Sequence, residues 1–151
     1  MNILLGIGNT LRGDDGVGPY VARIFRKEDW ISLDCGTTPE NFTAVMRKER
    51  PSLVILVDAA ELDLSPGEFR VIPLNRIEDV SVGTHGPSLG AFIDYISSFV
   101  PQVVFIGIQP GHIGDTSSLS RRVRRGADAL VKVLREKGIA GIEQYRVGNK
   151  E

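Results

Sequence analysis

Ile3 to Ile7 and Leu53 to Val57 are short apolar runs without a polar position, the pattern of strands buried on both faces. Val103 to Ile108 reads as a third strand of the same kind, and Trp30 to Leu33 as a weaker one. Between these runs the apolar positions change to a helical period. Val17, Tyr20, Val21, Ile24 and Phe25 form one stripe, Phe42, Val45 and Met46 a second, Leu89, Phe92, Ile93 and Ile96 a third, and Leu119, Val123, Ala127, Leu130 and Leu134 a fourth. Thr38-Pro39 and Gly86-Pro87 mark helix starts, where the missing N–H of proline costs nothing, and Gly138 marks the end of the last helix. Ser65-Pro66-Gly67 is a turn, after which Glu68 to Leu74 reads as an extra strand, placed at an edge because Pro73 cannot donate to a ladder. The order β-α-β-α-β-(β)-α-β-α predicts an α/β fold, a three-layer α/β/α sandwich around a mostly parallel sheet of about five strands. Ligands of such sheets lie beyond the carboxyl ends of the strands.

The chain has 151 residues, which suits one domain, taken as residues 1–138, with 139–151 as a polar C-terminal tail that is free to lie over the site. Apolar residues at 42% and charged residues at 25% exclude a disordered, collagenous or coiled-coil chain. A net charge of -1 gives no long-range attraction to nucleic acid or to an anionic membrane. Residues 120–137 are locally basic, with seven Lys or Arg against two Asp or Glu, the pattern of a solvated helix face. A single cysteine, Cys35, allows no internal disulfide and suits a reducing compartment. With no export signal at the N-terminus, and no apolar run approaching the 18 or so residues of a membrane span, the expected location is the cytoplasm.

The chemistry concentrates where strands end. The first strand empties into Gly6-Ile7-Gly8-Asn9-Thr10-Leu11-Arg12-Gly13-Asp14-Asp15-Gly16-Val17-Gly18. A dinucleotide fingerprint fails there because Leu11 stands at the third glycine, and no Lys-Ser/Thr pair makes a P-loop. Asp14 and Asp15 at a helix start disfavour phosphate and favour a cation, although either could simply cap the helix. Asp58 directly follows an apolar strand, so its carboxylate is expected to be partly buried and to need a metal, a donor or a proton; its bland alternative is to tether a loop. Glu61 is expected to face solvent. His85, on a loop before a helix, is placed as a site residue would be, whereas His112 follows the last strand. Cys35 reads as a small packing residue rather than a nucleophile, and H-E-x-x-H, G-x-S-x-G and C-x-x-C are all absent.

Gly6-x-Gly8-Asn9-x-Leu11-x-x-Asp14-Asp15-Gly16-x-Gly18, Val57-Asp58-Ala59 and Thr84-His85, in that order and spacing, resemble the hydrogenase maturation endopeptidases, which process the large subunit of NiFe hydrogenases. Asp34-x-Gly36-Thr37-x-Pro39-Glu40-Asn41, Pro66-Gly67-Glu68 and Gly107-Ile108-Gln109-Pro110 are similar to the hydrogenase 3 type, so the resemblance covers about residues 1–135. It implies an endopeptidase that removes a short C-terminal extension from a precursor, cutting after the His or Arg that follows the last metal-ligating cysteine motif. Asp15, Asp58 and His85 correspond to the family's metal-contacting residues, with Asp15 and Asp58 as the catalytic candidates of an aspartyl-peptidase-like site. Many members carry Glu where this chain has Asp15, and glycine where it has Cys35.

Two carboxylates and an imidazole suit a borderline divalent ion such as nickel. The expected cofactor is nickel supplied by the precursor, which docks on Asp15, Asp58 and His85 and sets the adjacent peptide bond for attack. The metal could polarise the carbonyl or activate water, or an aspartate could act as general base while nickel only positions the substrate. The expected partner is the hydrogenase large-subunit precursor, with no nucleic acid and no membrane, and the chain is expected to be a monomer. Two other functions fit parts of the pattern. One is a peptidyl-tRNA-hydrolase-like hydrolase, whose opening also has a Gly-x-Gly-Asn turn; the other is a non-catalytic module that recognises nickel in a precursor without cutting it.

Overall fold

The computed structural model describes residues 1–82 and 86–146, the side chains of 86–88 excepted. Its strands are β1 (Asn2–Ile7), β2 (Trp30–Gly36), β3 (Leu53–Ala59), β4 (Phe69–Ile72) and β5 (Gln102–Ile108). They form one sheet in the order β2-β1-β3-β5-β4. β1 pairs in parallel with both β2 and β3, and β3 with β5, while β4 runs antiparallel on the outer edge of β5. The predicted α/β architecture and the edge strand are therefore both present. β2 continues to Gly36 and β3 to Ala59, each beyond the apolar run that marks it in the sequence.

Both faces of the sheet are covered, which is why the central strands lack polar positions. On one face Val54 and Leu56 of β3 join Met46 of α2 (Thr43–Glu49) and Leu89, Phe92, Ile93 and Ile96 of α4 (Gly86–Ser97). On the other, Ile55, Val57 and Ala59 meet Val17 and Val21 of α1 (Val17–Ile24) and Val123, Ala127, Leu130 and Leu134 of α5 (Arg121–Glu136). Alternate residues of one strand thus feed two cores, as the period of two requires. The Pro39 helix start becomes a 3-10 turn, Pro39–Phe42, that leads into α2. A one-turn helix, α3 (Ile77–Val80), has no counterpart in the sequence reading. It buries only Ile77 and Val80, too few positions to show a period.

Gly138 lies just past α5 with φ +71°, the left-handed geometry of a helix terminator. Beyond it the segment read as a polar tail continues on the body of the protein. Ile142 is buried in the core, Val71 N–H donates to the Glu143 carbonyl at 2.9 Å, and Tyr145 N–H donates to the Val71 carbonyl at 2.8 Å. These bonds occupy the free edge of β4, the part of a sheet otherwise open to pairing with another chain.

Candidate active site

β1 ends at Ile7, and the following loop is closed by its own backbone. Gly8 N–H donates to the Gly36 carbonyl at the end of β2 at 2.8 Å, and Gly8 has φ +150°. A Cβ there would lie 2.0 Å from the Asp15 carbonyl oxygen, so the close approach of the loop to its own far end requires glycine. The Asn9 side chain accepts from Leu11 N–H at 2.9 Å, making an Asx turn, and the Asn9 carbonyl accepts from Arg12 N–H at 3.1 Å. Asp15 Oδ2 in turn accepts from Asn9 N–H at 3.1 Å. A Cβ on Gly18 would stand 2.2 Å from the Ile7 carbonyl oxygen and 2.4 Å from that of Val57. The glycines that suggest a nucleotide fold therefore let α1 and the turn Gly13–Gly16 settle directly onto β1 and β3.

The two adjacent aspartates of that turn are both buried but serve different ends. Asp14 is fully buried and faces the loop between β5 and α5. Its Oδ2 accepts from Gly111 N–H at 2.9 Å, His112 N–H at 2.8 Å and the Ser120 hydroxyl at 2.8 Å, and its Oδ1 accepts from Ser120 N–H at 2.7 Å. Burial pushes the carboxyl pKa up, but these donors outweigh it and hold it below the ordinary carboxylate value. Asp14 is thus a clamp between distant loops, neither a cap on its own helix nor a cation ligand.

Asp15 is 4% exposed and Asp58 1%. Asp58 lies inside β3 rather than directly after a strand, as the apolar pattern suggests, because the ladder pairs Asp58 with Gly107 and Ala59 with Ile108 of β5. By strand alternation it shares the face of Val54 and Leu56, under the layer that holds α4. Its Oδ1 accepts from Ala59 N–H at 2.8 Å. β1 and β3 are paired neighbours, with Gly6 opposite Val57, and the Asp15 turn packs on β3. Both carboxylates therefore belong to one stretch of the carboxyl edge of the sheet, where ligands of parallel sheets bind. His85 lies outside the described residues. Among the described residues no three His, Cys, Asp or Glu side chains gather as a metal-holding group.

Residues 17–137 match the family model described as hydrogenase maturation protease. The chain is 32% identical to the hydrogenase 3 maturation protease of Escherichia coli strain K12, an alignment that covers 97% of each protein. The chain belongs to the hydrogenase maturation protease family. Its fold is similar to that of the endopeptidase HycI from Escherichia coli, with a TM-score of 0.88, 29% identity and 99% of each chain covered. It is also similar to the NiFe hydrogenase maturation protease HycI of Thermococcus kodakarensis, at TM-score 0.77, 32% identity and coverage of 89% and 90%. This hydrogenase maturation protease membership takes the place of the tRNA-hydrolase and docking-module readings.

Other candidates within the protease fall to structural duties. Cys35 is buried at the end of β2, where burial first, and the nearby negative charges of Asp34 and Glu40 second, push its thiol up to about 12. A thiol so held stays protonated and unreactive at neutral pH. His112 is exposed and enters the architecture through its backbone, its carbonyl accepting from Asp14 N–H at 2.8 Å. Glu61 is exposed as expected, yet its Oε2 accepts from Gln109 Nε2 at 3.1 Å. Gln109 is the position that sequence reasoning missed. Buried at 4%, it accepts through Oε1 from Leu62 N–H at 2.7 Å and Leu64 N–H at 3.2 Å, tying the loop after β3 to the end of β5. In the sequence it figured only within the Gly107-Ile108-Gln109-Pro110 motif of the resemblance, with no role of its own. Among the described residues no helix is long and apolar enough to cross a membrane.

Proposed function

We propose that this protease removes a C-terminal extension from a nickel-loaded NiFe hydrogenase large-subunit precursor, with nickel carried in by the precursor as the recognition element. The observation that supports this reading is the burial of Asp15, in the turn after β1, and Asp58, near the end of the neighbouring β3, at 4% and 1% exposure toward one edge of the sheet. Two like charges taken out of water are costly together, and a divalent cation that both face offsets the cost. Carboxylate oxygens with an imidazole form a donor set for a borderline ion, and His85 of the Thr84-His85 motif is the third donor in this reading. A precursor whose nickel rests on these side chains has the peptide bond beyond its last cysteine motif held over the carboxyl edge.

Hydrolysis then needs one water. Its oxygen bonds to the scissile carbonyl carbon, the C–N bond breaks, and its proton passes through one of the two carboxylates to the leaving amine. Nothing in this step needs the Cys35 thiol. The protease is proposed to act as a monomer in the cytoplasm, where the single cysteine stays reduced.

Intact-mass spectrometry of a hydrogenase 3-type large-subunit precursor, with and without nickel, tests the reading. Loss of a C-terminal peptide from the nickel-loaded form alone is expected, and Asp15→Asn or Asp58→Asn should slow it by on the order of a hundredfold or more. Equal cleavage of the nickel-free precursor would remove nickel from the reading, and an unchanged mass of a loaded cognate precursor would sink it.

A further inference from the structure

β3 and β5 leave the sheet side by side, and both departures are fastened by Gln109. Asp58 pairs with Gly107 and Ala59 with Ile108, so Gln109 stands one position past the last paired residue of β5. Its backbone continues the edge ladder: Gln109 N–H donates to the Glu68 carbonyl at 2.8 Å, and Gly67 N–H donates to the Gln109 carbonyl at 2.9 Å. Two residues beyond Gly107 in extended chain, its side chain is on the face of the sheet that carries Asp58. Oε1 accepts from Leu62 N–H at 2.7 Å and Leu64 N–H at 3.2 Å, while Nε2 donates to Glu61 Oε2 at 3.1 Å and to the Pro110 carbonyl at 3.2 Å. These bonds fill both acceptor and both donor places of an amide.

The loop held in this way begins at Asp58. Ala59 N–H donates to Asp58 Oδ1 at 2.8 Å, Ala60 N–H to the Ile108 carbonyl at 2.9 Å, Glu61 N–H to the Val80 carbonyl at 2.8 Å, and Leu62 N–H to Gln109. Consecutive amides are thus all occupied, and the last of them depends on one distant side chain. The same segment also reaches the neighbour of Asp15, because Gly111 N–H and His112 N–H donate to Asp14 Oδ2 at 2.9 and 2.8 Å. Residues 109–112 therefore hold both loops that carry the paired carboxylates. An apolar side chain would fill the place of Gln109 without the desolvation cost of an amide, whereas a buried amide with every bond made fixes a single arrangement of the groups around it.

We propose that Gln109 is a positioning residue: it fixes the loop after β3 against residues 109–112 and so sets the Asp58 carboxylate relative to Asp15. The proposal rests on the reading above that these two carboxylates do the chemistry, but not on nickel. Gln109 acts through Asp58 rather than on the substrate, so its loss should fall on kcat more than on KM.

The test compares the full-length protein with Gln109→Met, which keeps the length and removes every side-chain bond, and with the exchanged pair Glu61→Gln plus Gln109→Glu. The exchange keeps an acceptor for Leu62 and Leu64 N–H and returns a donor opposite position 109. Cleavage of the large-subunit precursor is followed by intact mass below the unfolding temperature of each variant, and backbone amides are followed by NMR. A displacement of about 1 Å costs on the order of a hundredfold in rate, so Gln109→Met should lower kcat by about tenfold to a hundredfold with KM within about threefold. It should also shift the Ala59 amide, which is bonded to Asp58 Oδ1, and leave those of Leu4 and Val21, in the core on the opposite face, in place. The exchanged pair should recover kcat to within about fivefold of the parent. Gln109→Asn, which keeps the amide but draws it back by one methylene, carries the same two expectations should Gln109→Met fail to fold. A folded variant with kcat within about twofold of the parent, or with the Ala59 amide unmoved, overturns the proposal, as does an exchanged pair no faster than Gln109→Met. A parent that leaves a cognate precursor uncut refutes the cleavage reading instead, and the Ala59 amide still decides whether Gln109 positions Asp58.

Discussion

Replacing Asp14 with asparagine keeps the shape of a buried side chain and removes its charge. The carboxylate accepts four hydrogen bonds, from Gly111 N–H, His112 N–H, Ser120 N–H and the Ser120 hydroxyl, at 2.7–2.9 Å. An asparagine oxygen turned toward the Oδ2 partners keeps three of these as ordinary bonds, each weaker by about 1 kcal/mol than its charged counterpart. Its amide nitrogen then points at Ser120 N–H, donor against donor, and leaves a buried N–H unmade at a cost of about 1–3 kcal/mol. Asp14→Asn should therefore destabilise the protein by about 4–6 kcal/mol, a large share of the 5–15 kcal/mol typical of a domain. Urea unfolding at neutral pH reads this directly. The pH dependence is a sharper check. The pKa of Asp14 is lowered by folding, so its contribution is present above the ordinary carboxylate pKa of about 3.9 and is lost as pH falls through the lower folded value. The gap between parent and Asp14→Asn should accordingly narrow below about pH 4. A cost under about 1 kcal/mol at pH 7, or a gap that stays constant on acidification, would refute the clamp.

The packing of α1 makes a second prediction, since Gly18→Ala would gain about 1 kcal/mol of helix propensity yet force a methyl to 2.2 Å from the Ile7 carbonyl oxygen and 2.4 Å from that of Val57. Backbone cannot yield as a side chain can, so the net effect should be a loss of several kcal/mol, on the order of 3 or more, and a urea midpoint equal to or above the parent's would contradict it. Cys35, buried and with its thiol pushed up to about 12, should resist iodoacetamide at pH 8 in the native protein and react promptly in urea. Rapid native alkylation at that position would show that the end of β2 opens far more readily than its packing implies.

The layers of this protein were legible in its pattern. Apolar runs without alternation announce strands covered on both faces, and stripes of helical period announce the covers, all through interactions between near neighbours in sequence; the edge strand was also expected, but it is Phe69–Ile72, shorter than Glu68 to Leu74, and Pro73 ends it rather than lying in it. The motif of Gly8, Asn9, Leu11, Asp14 and Asp15 was equally plain as a string, and with Asp58 it pointed to the carboxyl edge of the sheet. What the string could not do was tell Asp14 from Asp15. The partners of Asp14 stand 97 to 106 residues away, on a loop that leads into α5, which packs beside α1 on the same face of the sheet. The same holds for Gln109, whose acceptor work lies 45 and 47 residues back, and for the segment after Gly138, whose polar composition conceals the two backbone bonds it makes with Val71. Propensity and periodicity are properties of adjacent residues, whereas a buried carboxylate takes its role from whichever donors the tertiary fold brings to it.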